Sequence, residues 1–341
     1  MAENRLEVSV ENPTFKTKLL FWVTLGVFPT FFAEVISGST PFPFLPILGI
    51  WGMVMVTPLY AIHILVFAYL VYRYGKPRFH TLFLAGALFG MYEAYATGVL
   101  WAGWSEPPPI LLSEVGVIET LVLVLFWHPV FAFIIPIVLG EVALTRDTGS
   151  TNDVARLTTG KPLIILAVVA GLFQSINMPS AAMALAVGVV NITVVAVFIF
   201  LWRKRGLDHF SMQQLLPNKA QFRWILGVMV LQYVFLGTIS TSKYPGAAGH
   251  IAVLVLYVVL TLLFIKSLKT SRRTPLPAIT PPTYRWRSFF TVSAVFVSTS
   301  VILSTFIGAL QPFAAITVLL SYAVLGVGLF AIALRQMFRR N

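Results

Sequence analysis

Cysteine is absent from the 341-residue chain, which excludes disulfide bonds, thiolate metal ligands and a cysteine nucleophile. Charged residues are scarce: they make up 11% of the chain, whereas an ordinary soluble protein has about 25%. With 58% hydrophobic residues, the chain has too little polar surface to cover a globule in water. The composition therefore predicts an integral membrane protein.

Catalytic and nucleotide-binding motifs are missing as well. The sequence has no Gly-rich phosphate loop, no H-E-x-x-H or E-x-x-H metal pair, no Gly-x-Ser-x-Gly elbow and no paired aspartates. ATP-driven transport by this chain alone is therefore not expected. The first 18 residues mix acids with bases, and no small-residue cleavage site follows the first apolar run. We expect no cleavable signal peptide.

Apolar runs long enough to cross a bilayer extend along almost the whole chain. A helix rises about 1.5 Å per residue, so about 20 apolar residues cross about 30 Å of hydrocarbon. The sequence predicts an all-α, polytopic membrane helix bundle of about ten transmembrane helices. The predicted spans are 19–38, 49–72, 79–101, 117–139, 163–178, 180–202, 222–241, 249–265, 288–309 and 313–334. The fifth and sixth flank a tight connection at Pro179 and could instead be a re-entrant pair, leaving eight full spans.

The net charge of +12 comes from basic residues at the ends of these runs. If the N-terminus is cytoplasmic, 23 of the 24 Lys and Arg residues fall inside and only Lys243 falls outside. Because basic residues favour the cytoplasmic side, we expect a plasma-membrane protein with both termini inside. The basic loops 203–221 and 266–287 are expected to bind anionic lipid headgroups. The charges do not follow one helix face, so no nucleic-acid partner is expected.

The chain divides into two membrane parts of different chemistry. Residues 19–145 form a polar four-helix half, and residues 163–334 form an apolar six-helix half. A cytoplasmic N-terminal segment (1–18), a cytoplasmic loop (146–162) and a cytoplasmic tail (335–341) complete the predicted organisation. The polar half is therefore expected to carry the functional site.

Prolines also separate the two halves. Pro29, Pro58, Pro129 and Pro136 fall inside predicted helices of the first half, whereas the predicted helices of the second half have none in their interiors. Each proline kinks its helix and frees a backbone carbonyl. A membrane tolerates such carbonyls where neighbouring groups or cavity water satisfy them.

Five ionisable side chains are the candidate substrate-binding or proton-binding residues. Counting inward from the basic flanks places His63, Glu93 and His128 near the bilayer midplane, with Glu34 and Glu119 nearer the outer surface. Ionisable groups at this depth usually face the bundle interior or a water-filled cavity. A carboxylate there must be protonated or find a partner.

The glycines of the third predicted helix indicate where its neighbour packs. Gly86 and Gly90 share a helix face with Glu93. Small residues let two membrane helices approach closely. We therefore expect a neighbouring helix to pack against this face, close to the carboxylate.

These residues suit several functions. In a secondary transporter or permease, Glu93 would carry a coupling proton, and the histidines would relay it or bind a small-molecule substrate. In an intramembrane enzyme acting on a lipid-like substrate, His63, His128 and Glu93 would bind zinc or iron. The two histidines could instead hold a b-type haem, or the chain could be a non-catalytic membrane subunit. Transport is the favoured hypothesis, and the sequence names no cofactor.

Overall fold

The structure is a computed structural model that describes residues 12–104, 107–145, 147, 160–240, 243–273, 284–306 and 311–339. Ten long helices make up most of this part of the chain. They are α1 (Phe15–Val35), α2 (Pro46–Tyr74), α3 (Phe79–Ala96), α4 (Val117–Leu144), α5 (Lys161–Asn177), α6 (Ala181–Lys204), α7 (Lys219–Ile239), α8 (Ala247–Arg273), α9 (Trp286–Phe306) and α10 (Gln311–Phe338). Eight of them, all except α3 and α5, are candidate membrane-spanning helices by length and composition. The chain is therefore a multi-pass membrane helix bundle.

The helix boundaries follow the predicted spans, and the larger differences include the start of α1 and the ends of α3, α4 and α8. α1 begins at Phe15, because the Thr14 hydroxyl caps it by accepting from the Thr17 amide at 3.2 Å. α3 ends at Ala96 rather than at residue 101, because Gly98 adopts a left-handed φ of 74° and turns the chain. α8 continues to Arg273, so the first part of the predicted loop 266–287 is helical. The predicted loop 146–162 lies mostly outside the described residues.

Short elements occupy two of the connections. Between α3 and α4, β1 (Leu111–Leu112) pairs with β2 (Val115–Gly116) in an antiparallel hairpin. Between α6 and α7, two short helices cover Leu207–His209 and Met212–Leu215. We call the end of the bundle with this second connection the basic end, and the end with the hairpin the opposite end.

The third helix is the most enclosed element of the bundle. α3 packs against α4, α8, α10 and α2, and 14 of its 18 residues are buried. In contrast, only Met229 and Leu236 are buried in α7. Because α3 is surrounded by protein, it can carry polar side chains that a lipid-facing helix could not.

Wide helical turns accompany three of the internal prolines. π-helical segments cover Phe31–Val35, just after Pro29, Gly52–Val56, just before Pro58, and Thr120–Ile134, around Pro129. Proline removes an N–H donor and clashes with the preceding turn, and a π turn is one way for a helix to absorb that defect. Such turns are frequent at functional sites. The interruptions expected from the prolines are therefore present in the first half.

Candidate functional site

Glu93 of α3 and His128 of α4 meet inside the bundle. His128 Nε2 lies 3.3 Å from Glu93 Oε2, and the two side chains are 2% and 14% exposed. His128 Nδ1 lies 3.0 Å from the carbonyl oxygen of Leu123, so this nitrogen carries a hydrogen and donates it. The other ring nitrogen, Nε2, faces the carboxylate.

Two glycines allow this contact. A Cβ atom built on Gly86 would lie 2.5 Å from Pro129 Cα, and one built on Gly90 would lie 3.0 Å from His128 Cβ. No other residue fits at this distance without moving α4 away. The expectation that a helix packs against the glycine face of α3, close to Glu93, is confirmed.

Glu34 occupies the π-helical turn at the end of α1. Tyr60 of α2 donates its hydroxyl to Glu34 Oε1 at 2.7 Å, and Thr40 donates to Oε2 at 2.7 Å. The Thr40 amide also donates to the Glu34 carbonyl at 3.3 Å, which folds the connection after α1 back over its end. Both carboxyl oxygens therefore accept hydrogen bonds, which hold the Glu34 side chain in one orientation.

Tyr60 joins Glu34 to the Glu93–His128 pair. Its ring is parallel to the His128 imidazole, with an interplanar angle of 3° and 6.3 Å between centroids. Glu93 and His128 both act electrostatically on Glu34. Three of the five predicted residues, Glu34, Glu93 and His128, thus form one cluster together with Tyr60. We call these four residues the carboxylate–histidine cluster.

His63 lies beside this cluster, one aromatic ring away from His128. Its ring stacks on Phe89 at 4.7 Å and meets Tyr92 at 4.3 Å, and Phe89 also contacts His128 at 5.4 Å. His63 Nδ1 donates to the Leu59 carbonyl at 2.6 Å. Its Nε2 is buried without a hydrogen-bond partner among the described residues. His63 is thus available as an acceptor in the wall of the cluster.

The structure does not bring Glu119 to the same place. Glu119 lies at the start of α4, nine positions before His128 and therefore more than two helical turns away. Its carboxylate folds back against Gly116, and the side chain is 2% exposed. Glu119 thus occupies a separate buried position near the opposite end.

The geometry gives little support to the metal and haem hypotheses. Within the described ranges, no three His, Cys, Asp or Glu side chains converge as a metal site. His63 and His128 both donate Nδ1 to backbone carbonyls, which leaves each Nε2 as an acceptor, and the ring of Phe89 packs against both imidazoles. Among the described residues, Glu93 and His128 are the proposed ligands whose side chains approach each other, at 3.3 Å.

Side-chain amides from the second half of the chain contact backbone carbonyls of the first half. Gln174 Nε2 lies 3.4 Å from the Val35 carbonyl, and Gln232 Nε2 donates to the Met55 carbonyl at 3.1 Å. Asn191 Nδ2 donates to the Pro41 carbonyl at 2.8 Å. Val35 and Met55 belong to π-helical turns. These side chains therefore satisfy backbone carbonyls in the π-helical turns and in the connection that follows α1.

A group of aromatic side chains extends from the cluster toward the opposite end. Tyr92 contacts Tyr233 at 4.4 Å, and Tyr233 stacks on Tyr95 at 5.4 Å. The Tyr95 hydroxyl lies 3.4 Å from His250 Nδ1. Sequence reasoning missed this group, because its members come from α3, α7 and α8, and a membrane tyrosine usually only packs. Tyr60 was missed for the same reason, although it lies one turn before His63.

These features define a multi-pass membrane protein with an internal carboxylate–imidazole site. The chain matches, over residues 23–340, the model of a family described as an uncharacterized membrane protein family, and it belongs to that family. An uncharacterized protein of Archaeoglobus fulgidus is 30% identical over 265 residues, which cover 75% of this chain and 81% of the relative. No solved structure matches the chain.

Proposed function

We propose that this protein is a proton-coupled secondary transporter or permease. In this proposal, Glu93 and His128 exchange the coupling proton and Glu34 contacts the substrate. The observation that supports it most directly is the 3.3 Å contact between the Glu93 carboxylate and Nε2 of His128 inside the bundle. Ionisable groups are expensive within a membrane and usually mark a substrate or proton pathway.

The charge balance of the cluster favours a substrate that is cationic or rich in hydrogen-bond donors. Two carboxylates, Glu34 and Glu93, lie near one imidazole, and within the described residues neither forms an ion pair with Lys or Arg. The aromatic rings of Tyr60 and Tyr92 add faces that attract a cation. The unpartnered His63 Nε2 adds an acceptor. A small organic cation would balance the second carboxylate.

We also propose that the chain crosses the plasma membrane ten times with both termini in the cytoplasm. In this proposal, α3 and α5 cross the membrane in addition to the eight candidate spans. They have 18 and 17 residues and are about 25 Å long at about 1.5 Å per residue. The distribution of basic residues supports this orientation, because Lys243 is the lone basic residue left outside. With an odd number of spans, one terminus would lie outside.

The transport proposal can be tested with the full chain reconstituted into liposomes that contain a pH-sensitive dye. Choline and arginine serve as membrane-impermeant cations, with glutamate and glucose as anionic and neutral solutes. We expect at least one of the cations to change the internal pH in wild-type vesicles. Glu93→Gln is expected to abolish that change, because an amide cannot carry the proton.

Glu119→Gln is the matched control, since it makes the same substitution in a buried carboxyl outside the cluster. It should retain wild-type proton movement. Equal activity in Glu93→Gln and wild type would refute the proton role of the cluster. A response to glutamate but to neither cation would refute the cationic substrate class while leaving proton coupling intact.

The topology can be tested by single-cysteine labelling, because the natural chain has no cysteine. A cysteine replacing Lys243 should react in intact cells with a membrane-impermeant maleimide. A cysteine replacing Arg205 should react only after the membrane is permeabilised. The reverse pattern, or reaction of both in intact cells, would contradict the proposed orientation.

A further inference from the structure

A groove of about 380 Å³ opens at the basic end of the bundle. Its walls come from the start of α1, the end of α2 and the connection that leads into α7. Three basic side chains from these three helices line it: Lys18, Arg73 and Lys219. The amide side chains of Gln213 and Asn218 lie in the same wall. Among the described lining residues there is no carboxylate.

The positive charge of this groove is not neutralised within the described part of the chain. The Lys18 ammonium donates to the Leu216 carbonyl at 3.2 Å, which is a neutral partner. Arg73 and Lys219 have no acidic partner among the described residues. Arg272 adds another cation, since its guanidinium donates to the Arg73 carbonyl at 3.2 Å.

Two acidic side chains, Glu141 and Asp147, lie close to the groove, and neither is among its lining residues. Tyr72, a lining residue, donates its hydroxyl to Glu141 at 2.5 Å. Arg223 and Arg73 both interact electrostatically with Tyr69, another residue that lines the groove. Cations from four helices therefore lie in or beside the groove, and each nearby carboxylate accepts a hydrogen bond, Glu141 from Tyr72 and Asp147 from the Met212 amide at 2.6 Å.

The rim of the groove is apolar where it meets the outer surface of the bundle. Phe15 and Leu19, which flank Lys18 on α1, are 59% and 47% exposed, and Tyr74 beside Arg73 is 47% exposed. These residues lie at the ends of candidate membrane-spanning helices. A polar, cationic groove with an apolar rim at this level fits a molecule that has both an anionic head and acyl chains.

We infer that this groove binds the phosphate-bearing headgroup of an anionic phospholipid. Lys18, Arg73 and Lys219 contact the phosphate, while Gln213 and Asn218 donate hydrogen bonds to the rest of the headgroup. The acyl chains run along Phe15 and Leu19. Free phosphate shares the anionic chemistry but has nothing to place on the apolar rim. The inference is independent of the transport proposal, since none of these residues belongs to the carboxylate–histidine cluster.

Native mass spectrometry of the purified full-length protein tests the inference. Phosphatidylglycerol, phosphatidylcholine and inorganic phosphate are the probes. We expect retained phosphatidylglycerol adducts on the wild type, weaker retention of phosphatidylcholine and no competition by inorganic phosphate. The double variant Arg73→Gln with Lys219→Gln should lose the phosphatidylglycerol adducts.

The matched control is Arg205→Gln with Lys269→Gln, which removes the same charge from exposed positions at the same end. This control should retain the adducts. Equal loss in both double variants would overturn the inference in favour of a diffuse surface charge. Displacement of the lipid by inorganic phosphate would overturn the lipid as occupant.

A single variant at an exposed position separates loss of lipid binding from loss of folding. Lys219 is exposed at the first position of α7, so Lys219→Glu removes no packing. It should reduce phosphatidylglycerol retention while the protein keeps the elution volume of the wild type. Full retention in a correctly folded Lys219→Glu protein would contradict the site.

Discussion

Gly90 and His128 are in contact across the α3–α4 interface, and a Cβ atom on Gly90 would lie 3.0 Å from His128 Cβ and 2.9 Å from the Leu123 carbonyl oxygen. The same carbonyl accepts the His128 Nδ1 hydrogen. One glycine therefore controls both the position of the imidazole and the hydrogen bond that fixes its protonation pattern. The chemistry of the cluster depends on the backbone spacing of two helices.

Gly90→Ala is expected to lower the free energy of unfolding by about 1 to 3 kcal/mol, the usual cost of overpacking. It should also weaken proton movement, because α4 must shift and carry His128 away from Glu93. Thermal unfolding in detergent and the liposome assay measure the two effects. Gly227→Ala is the control: it lies in α7 with nothing within 4 Å of a new Cβ. Alanine is the better helix former, so the control should be neutral or stabilising.

Tyr60→Phe removes the hydroxyl that donates to Glu34 at 2.7 Å and leaves the ring beside His128. Leaving a buried acceptor without its donor costs about 1 to 3 kcal/mol, and we expect a loss in this range by thermal or denaturant unfolding. Tyr322→Phe is the control, because Tyr322 is buried and stacked on Phe126 at 4.4 Å, with no hydroxyl hydrogen bond in the described part of the chain. A loss for Tyr60→Phe no larger than for Tyr322→Phe would contradict the assigned role.

Much of the helical organisation and the proximity of Glu93 and His128 could be predicted from the sequence. Depth counting placed Glu93 and His128 at one level, and the spacing of Gly86, Gly90 and Glu93 indicated a close neighbour. Both inferences rest on regular helical geometry, which a sequence encodes directly. They hold because α3 is a regular helix from Phe79 to Ala96.

The environment of Glu34 could not be predicted in the same way. Its partner Thr40 follows a π-helical turn and lies in a non-helical connection, whose path depends on where α1 ends. The position of Glu119 depended on its side-chain rotamer, which turns the carboxylate back onto Gly116. The aromatic group around Tyr95 required knowledge of which helices are neighbours. Helix order in space is a tertiary property that hydrophobic runs do not reveal.

Asn191→Leu tests whether the second half supports the connection that follows the interrupted end of α1. The substitution removes the hydrogen bonds from Asn191 Nδ2 to the Pro41 and Val187 carbonyls, at 2.8 and 2.7 Å. Interhelical hydrogen bonds in membranes are worth about 0.6 kcal/mol on average and up to about 1.7 kcal/mol, so unfolding measurements should show a loss of this size. Asn177→Leu is the control, because the exposed Asn177 bonds within its own helix to Phe173. Equal losses in both variants would argue against a supporting role.

Asp147 provides a test of pH dependence outside the membrane-spanning helices. Burial raises the pKa of its carboxyl above the usual value of 3.8, the nearby Glu141 raises it further, and the hydrogen bond from the Met212 amide at 2.6 Å opposes both. The folded state therefore holds its proton to higher pH than the unfolded state does. Stability contributed by Asp147 is then full below the unfolded pKa and falls as the pH rises through the folded pKa.

Asp147→Asn removes this titration and keeps an oxygen that accepts from the Met212 amide. We expect the variant to match the wild type at about pH 4 and to be more stable than the wild type at about pH 7, because only the wild type must then bury a charge. Thermal unfolding in detergent at the two pH values measures the difference. Asp208→Asn is the control: Asp208 lies 3.5 Å from the Arg203 guanidinium, so losing its charge should not stabilise the protein at either pH. A gain that is equal at both pH values in Asp147→Asn would show that burial of the charge is not its cause.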